Sequence, residues 1–183
     1  GDITLGEKIN CQVQLGGIVA YHQHHMSDCT NSGNITINGS PSIAKVVYAV
    51  VRSDTGTNKR SDIDANTRSN IAGVLGKIWA TNLNATITNV KNTGAISFPQ
   101  ADSLNCVAIG GVFGELTCKS VNITTAQNEG DISIANTSNK AALVHIGGIL
   151  ARNMNTSIAG QTISLTNCTN KGDITLTEPN AIN

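Results

Sequence analysis

The sequence predicts an all-β fold, a β-solenoid (parallel β-helix) built from about four units of 32–42 residues with one insertion. A strand-like motif that begins with glycine recurs along the chain, and a second motif with paired glycines alternates with it. Composition agrees, because charged residues make up 13% and aromatic residues 3% of the chain. Asn, Thr, Ser and Gly take their place, and these residues favour turns and short strands.

The first motif reads Gly-x-Ile-Ser/Thr-apolar, and its alternation of apolar and polar residues is typical of a strand. The last four copies carry an Asn two residues ahead of the Gly. We expect a turn there, with a positive φ at the Gly and an Asn that caps its own backbone or adopts the left-handed region. The five copies are Gly1–Leu5, Gly33–Ile37, Gly94–Phe98, Gly130–Ile134 and Gly172–Leu176.

The second motif reads apolar-Gly/Ala-Gly-apolar-apolar-Gly/Ala. Paired glycines within an apolar stretch cost backbone entropy, so we expect a neighbouring backbone to approach them closely or the strand to bend there. A helix is disfavoured, because so few apolar residues around two glycines do not nucleate one. The copies are Leu15–Ala20, Ile71–Gly76, Ile109–Gly114 and Ile146–Ala151.

The spacing of the first motif defines the repeat. Its glycines lie 32, 61, 36 and 42 residues apart, so the long interval holds one unit plus an insertion of about 25 residues. We place the insertion at about 38–70 within a single domain, 1–183. Each unit forms either one large three-sided coil or two smaller coils of roughly 18 residues, and we favour the single coil.

One unit exposes an apolar face that it cannot bury alone, so stacking is expected to bury a continuous inner column. The motif isoleucines predict one ladder of stacked side chains, and the motif asparagines predict an amide ladder at a corner. The isoleucines are Ile3, Ile35, Ile96, Ile132 and Ile174, and the asparagines are Asn31, Asn92, Asn128 and Asn170.

Charge and composition argue against several classes of function. The net charge is zero, which removes the electrostatic argument for nucleic acid. No apolar run reaches the ~20 residues of a transmembrane helix. The five cysteines show no metal-finger spacing, and we expect them to be unpaired core residues. Cys29 and Cys168 share a phase three units apart, so they are not expected to pair. No cofactor is predicted.

The stretches Cys-Thr-Asn-x-Gly-x-Ile-Thr and Gly-Gly-Ile-Val-Ala resemble GLUG-type repeats, found in surface proteins of Bacteroidetes and related bacteria. The resemblance covers nearly the whole chain outside the insertion, and repeat two departs from it at Ala72, which replaces the first glycine of the pair. It implies an extracellular or outer-surface location, in adhesins, glycan-associated lipoproteins or stalks that carry other domains.

We therefore expect a non-catalytic, secreted or cell-surface structural and adhesive module that binds protein or glycan. The alternative is a carbohydrate-active β-helix of the polysaccharide lyase or glycosidase type. The chain begins and ends within its own repeat pattern and shows no capping helix. We expect its ends to be covered by other parts of a longer chain or by an assembly partner.

Two groups of side chains are candidates for ligand or metal binding. Tyr21 and Trp79 each follow a copy of the second motif, so they are candidate glycan contacts on one side of the stack. His22, His24 and His25 are candidate metal ligands, although an exposed polar turn also explains them.

No catalytic residues are predicted. Asp2, Asp131 and Asp173 share one outward column, but Asn34 and Ala95 interrupt it. Glycoside hydrolysis needs paired carboxylates, which this column does not offer. The outward hydroxyls of the neighbouring column are not followed by a uniform second row, which argues against an ice-binding array.

Overall fold

The computed structural model describes residues 1–7, 13–39, 69–101, 104–136, 142–153 and 160–177. These residues form sixteen strands and no helix, in three sheets whose paired strands all run parallel. The predicted all-β class is confirmed. Most of the predicted insertion at about 38–70 lies outside the described residues.

Each sheet collects strands from successive repeats. The first sheet contains β1 (Ile3–Leu5), β5 (Ile35–Ile37), β8 (Ile96–Ala101), β11 (Ile132–Asn136) and β16 (Ile174–Thr177), in that order. The second contains β2 (Gln14–Gly16), β6 (Ser69–Ala72), β9 (Asn105–Gly110) and β12 (Ala142–Gly147). The third contains β3 (Val19–His22), β4 (Met26–Asn31), β7 (Leu75–Asn92), β10 (Phe113–Asn128), β13 (Leu150–Asn153), β14 (Thr162–Thr166) and β15 (Thr169–Asn170).

Strands pair with their counterparts one full repeat away. In the third sheet β3 and β4 both pair with β7, β7 pairs with β10, and β10 pairs with β13, β14 and β15. If the strands that one repeat contributes to a sheet are counted as one layer, the described part of the third sheet has four layers. The second sheet also has four layers, and the first sheet has five. Among the described strands, none pairs with a strand half a repeat away.

The apolar columns lie where the period-two pattern places them. Ile35 pairs with Ile96, and Ile132 pairs with both Ile96 and Ile174. Ile35, Ile96 and Ile132 are at most 1% exposed, in a core shared by the first and second sheets. A second core cluster lies within the third sheet, around Ile78, Leu116 and their neighbours.

The predicted asparagine ladder is present as a chain of side-chain hydrogen bonds. The Nδ2 of Asn31 donates to the Oδ1 of Asn92 at 2.9 Å, Asn92 to Asn128 at 2.8 Å, and Asn128 to Asn170 at 2.7 Å. Each Nδ2 also donates to the carbonyl of the motif glycine two residues later, at 2.8–2.9 Å. Both amide protons are thus used in the first three asparagines.

Close packing between layers, and not a left-handed backbone, explains why glycine recurs at the same position of each repeat. A Cβ on Gly94 would lie 2.0 Å from the carbonyl oxygen of Gly33 in the layer before it. A Cβ on Gly111 would lie 2.5 Å from Cγ of Asn128. The expectation of a positive φ at the motif glycines was wrong. Among the described glycines only Gly160 has a positive φ, and Gly160 belongs to neither motif.

The left-handed residues stand three positions ahead of each ladder asparagine. All four are non-glycine residues: Asp28 (φ 54°), Asn89 (φ 52°), Thr125 (φ 62°) and Asn167 (φ 54°). The backbone therefore adopts the same left-handed conformation at the same point in these four repeats, three residues before the ladder asparagine.

None of the described segments is a helix long and apolar enough to cross a membrane.

Candidate functional site

A row of large polar side chains crosses the third sheet on the face opposite the core residue Ile78. In successive layers it contains Tyr21, Lys77, Glu115 and Arg152, which are partners in strand register. We call these four residues the charged row. Each stands five residues after the first position of the glycine pair, so the repeat itself places them side by side.

The centre of the charged row is a buried ion pair. The Lys77 Nζ lies 2.9 Å from Glu115 Oε1, and the two side chains are 3% and 0% exposed. Arg152 Nη1 lies 3.5 Å from Glu115 Oε2, and Thr117 Oγ1 donates to Glu115 Oε1 at 3.3 Å. Ion pairs removed from water in this way need additional hydrogen bonds to offset desolvation, which Thr117 and Arg152 supply here.

Two aromatic side chains flank this ion pair. Trp79 follows Lys77 by two residues on the same face of β7, and the Lys77 Nζ lies 4.5 Å from the centre of its ring. Tyr21 lies beside Lys77 on the neighbouring strand and is 46% exposed. The structure thus brings the two candidate glycan contacts onto one face of adjacent strands, with a lysine between them.

The three histidines are held differently from one another. The backbone carbonyl of His25 accepts a hydrogen bond from Nε2 of His22 at 3.0 Å. The Nδ1 of His25 in turn accepts one from the backbone N–H of Thr86 at 3.0 Å. His24 is exposed. Within the described ranges no three His, Cys, Asp or Glu side chains are grouped to hold a metal ion.

A shallow depression of about 280 Å³ lies next to His25. It is lined by His25, Met26, Ser27, Thr86 and Thr88. These side chains offer hydroxyl groups and one imidazole, which are suited to polar contacts.

The outward aspartates have a structural partner. Asp2 Oδ1 accepts the backbone N–H of Asn34 at 2.7 Å, and Asp131 Oδ1 accepts that of Asp173 at 2.8 Å. Asn34 does the same for Ala95 at 2.9 Å. The side chains of Asp2, Asn34 and Asp131 therefore each bind the next layer, and Ala95 is the member of the column that lacks an acceptor.

The cysteines whose side chains are described are all free thiols. Cys118 is buried, and burial raises the pKa of its thiol. Cys29 and Cys168 are half-buried and donate to backbone carbonyls two residues earlier, at 3.2 and 3.5 Å. The prediction that these two do not pair is confirmed, because they occupy the first and last layers of one column.

The buried ion pair was not among the sequence candidates. Its signal was nevertheless present, since aligning the four copies of the second motif places Tyr21, Lys77, Glu115 and Arg152 in one column. Alternating charges on adjacent parallel strands predict a cross-strand ion pair.

Comparison of the chain with protein-family models, curated proteins and solved structures finds no match.

Proposed function

We propose that this chain is a β-solenoid with one three-sided turn per repeat, acting as a non-catalytic structural and adhesive module at a cell surface or in the secreted space. The observation that carries this proposal is the use of the recurring polar side chains between layers. The asparagine ladder and the outward aspartates Asp2 and Asp131 are bound to the next repeat, which suits a scaffold.

The partner surface that we propose is the exposed part of the charged row together with Trp79. Carbohydrates bind aromatic faces through their apolar C–H groups and bind nearby charged or amide groups through their hydroxyls. Tyr21 supplies an exposed ring, and Trp79 lies one strand away with the Lys77 ammonium against it. A glycan is therefore the proposed ligand class.

The resemblance of both motifs to GLUG-type repeats supports placing the module outside the cell. Surface repeat proteins commonly present a binding face on a stiff stack. Free thiols neither support nor oppose this placement, because buried cysteines also serve as small apolar core residues.

The test is a glycan-array and surface-immobilised mucin binding assay with a polypeptide of residues 1–183. We expect Tyr21→Ala and Trp79→Ala each to weaken binding about tenfold, which corresponds to about 1.4 kcal/mol. Lys119→Ala, an exposed change on β10 of the same sheet, serves as the control and should bind like the wild type.

Thermal unfolding of each variant is measured in parallel, because Trp79 also contacts Lys77. Equal binding by all variants would show that Tyr21 and Trp79 do not contact the glycan. Release of reducing ends or unsaturated sugars from a polysaccharide would overturn the non-catalytic assignment in favour of the carbohydrate-active alternative.

A further inference from the structure

We propose that the outer face of the third sheet binds a neutral, extended polysaccharide chain that lies across the layers of the stack. The inference rests on the proposed function, because it takes the ligand to be a glycan, and it deepens that function by naming the class of glycan and a second contact surface. Two columns of register partners form this surface, which we call the outer face: Thr86, Asn122 and Ser164 in one column, and Thr88, Thr124 and Thr166 in the other.

The position of the outer face follows from strand alternation. Ala85 and Ile87 on β7 are buried in the core cluster of the third sheet, as are Val121 and Ile123 on β10. Successive side chains of a strand point to opposite faces of its sheet. The side chains at positions 86, 88, 122 and 124 therefore point away from that core.

The exposure of this face does not depend on the ends of the stack. Strand β7 is paired with β4 on one side and with β10 on the other, and β10 is paired with β7 and β14. In these two inner layers Thr86, Thr88 and Asn122 are exposed and Thr124 is half-buried. Solvent therefore reaches the middle of the outer face.

The polar groups of the outer face are not used between layers, unlike those elsewhere in the stack. In the first sheet Ser97 Oγ donates to Thr36 Oγ1 at 3.2 Å, and the asparagine ladder joins successive layers through its amides. Within the described part of the chain, the inner-layer side chains of the outer face form no hydrogen bond with another protein group. Their hydroxyl and amide groups can therefore donate to a ligand and accept from it.

The chemistry of the outer face favours a neutral partner that is rich in hydroxyl groups. Its six side chains carry hydroxyl or amide groups and no charge. A partner that covers these groups must return hydrogen bonds to them, because an unpaired polar group costs free energy when it leaves water. Sugar rings carry hydroxyl groups at most of their positions. The six residues include none of the aromatic residues, Met or Arg that are enriched in protein interfaces.

The spacing of the two columns favours an extended chain. Neighbouring layers are about 4.8 Å apart, and the columns are about 6.6 Å apart because two residues separate them along each strand. Extended β-1,4-linked polysaccharides advance by nearly one layer spacing per sugar ring. Each ring can therefore meet the same pair of side-chain positions in successive layers.

A depression on the outer face offers room for one sugar ring. It has a volume of about 280 Å³ and lies between β4 and β7, where Ser27, Thr86 and Thr88 line it together with His25 and Met26. Pockets for drug-sized ligands are larger, at roughly 300–1,000 Å³. Because Nδ1 of His25 accepts the backbone N–H of Thr86, the neutral imidazole carries its hydrogen on Nε2, which can donate to a sugar hydroxyl.

Binding through repeated, similar contacts depends on the length of the sugar chain. Each additional ring that lies over the outer face adds contacts of the same kind without a second loss of translational freedom. A contact made by Tyr21 and Trp79 alone involves two neighbouring layers and reaches its full strength with a short oligosaccharide. Chain-length dependence therefore distinguishes the outer face from the aromatic pair.

The experiment is an NMR titration of the backbone amide signals of residues 1–183. The probes are the β-1,4-linked hexasaccharides of glucose, N-acetylglucosamine and mannose, each compared with its disaccharide. We expect at least one hexasaccharide to shift the signals of Thr86, Thr88, Asn122 and Thr124. The same hexasaccharide should bind at least tenfold more tightly than its disaccharide.

A double substitution tests the hydroxyl groups directly. Thr88→Val with Thr124→Val removes two hydroxyl groups and keeps the shape of both side chains, so we expect the affinity for the hexasaccharide to fall about tenfold. Thr4→Val with Thr175→Val removes two exposed hydroxyl groups from the first sheet and is the matched control, which should bind like the wild type. Thermal unfolding of both variants verifies that they are folded.

Failure of all three hexasaccharides to bind would overturn the inference, as would binding that Thr88→Val with Thr124→Val leaves unchanged. Loss of that binding in Tyr21→Ala would then keep the proposed function and place the glycan at the aromatic pair alone. Suppression of ice recrystallisation without hexasaccharide binding would identify ice as the partner of the outer face and would also overturn the inference. A chain that binds nothing on the glycan array contradicts the proposed function itself.

Discussion

At the scale of single residues, the left-handed positions show where the chain tolerates strain. Asp28, Asn89 and Asn167 are residue types whose short polar side chains suit a positive φ. Thr125 occupies the same position with φ 62°, although a β-branched side chain is poorly accommodated there. The third repeat therefore carries a local cost that the other three repeats avoid.

Replacing this threonine should stabilise the protein. We expect Thr125→Asn to raise the free energy of unfolding by about 1 kcal/mol, because Asn adopts the left-handed region more readily. Urea denaturation measures the change. Thr124→Asn, at the preceding residue of the same strand, is the control and should not stabilise, because Thr124 has no positive φ. A gain there as large as at Thr125 would disprove the explanation.

A surface carboxylate links three layers of the stack next to the ladder. Glu129 lies 2.8 Å from the Lys91 Nζ and 3.2 Å from the Lys171 Nζ. Hydrogen bonds from Lys91 and then Lys171 lower the pKa of this carboxyl group from its ordinary value. Because the folded state favours the charged form, the interaction stabilises the fold above the unfolded pKa of glutamate.

That stabilisation should disappear on acidification. The difference in unfolding free energy between the wild type and Glu129→Gln should be present at neutral pH and be lost as pH falls from the unfolded pKa through the lower folded pKa. It should be small and should shrink in high salt, because the group is exposed. A pH-independent difference would show that the substitution acts by another route.

At the scale of elements, the charged row shows how parallel strands in register determine which side chains meet. Lys77 on β7 and Glu115 on β10 are 2% and 0% exposed, and Arg152 on β13 reaches the same carboxylate. Burying one of these charges without its partner is costly. The row therefore ties three layers together through buried charges.

Breaking the pair on one side should be strongly destabilising. We expect Lys77→Met to lower the free energy of unfolding by about 3–5 kcal/mol, since Glu115 remains buried with fewer partners. The double change Lys77→Met with Glu115→Met should recover most of that loss. Urea titration of the single and double variants gives the coupling energy, and simple additivity would show that the two charges do not depend on each other.

At the scale of the whole molecule, the asparagine ladder connects four layers by a single chain of amides. Asn92 and Asn128 are fully buried, and each accepts one hydrogen bond and donates two. Asn170 ends the ladder and is more exposed. An interior amide therefore supports both of its neighbours, whereas the terminal one supports a single neighbour.

Removal of an interior amide should cost more than removal of the terminal one. We expect Asn92→Ala to lower the free energy of unfolding by about 3 kcal/mol, from three hydrogen bonds at about 1 kcal/mol each. Asn170→Ala should cost about 1 kcal/mol or less. Equal losses at both positions would indicate that the ladder does not act as a continuous network.

Much of the fold was predictable because the repeat is short and strict. The period-two pattern identified the first-motif strands, and the shared phase of Asn31, Asn92, Asn128 and Asn170 predicted the ladder that the structure contains. The pairing of Lys77 with Glu115 was missed, since no single copy of the motif carries both charges. The positive φ was assigned to the glycines, because crowding between layers cannot be read from one strand.

The sequence by itself determined the all-β class, the repeat boundaries, the apolar columns and the amide ladder, because each follows from a pattern that recurs at a nearly constant phase. The tertiary structure alone decided which residues touch across layers. It showed that the outward aspartates bind the next layer's backbone, that the second glycine of each pair makes room for an asparagine, and that Lys77 and Glu115 are buried together. The physical reason is that these contacts join residues 32 to 61 positions apart, whose distance is set by stacking and not by local conformation.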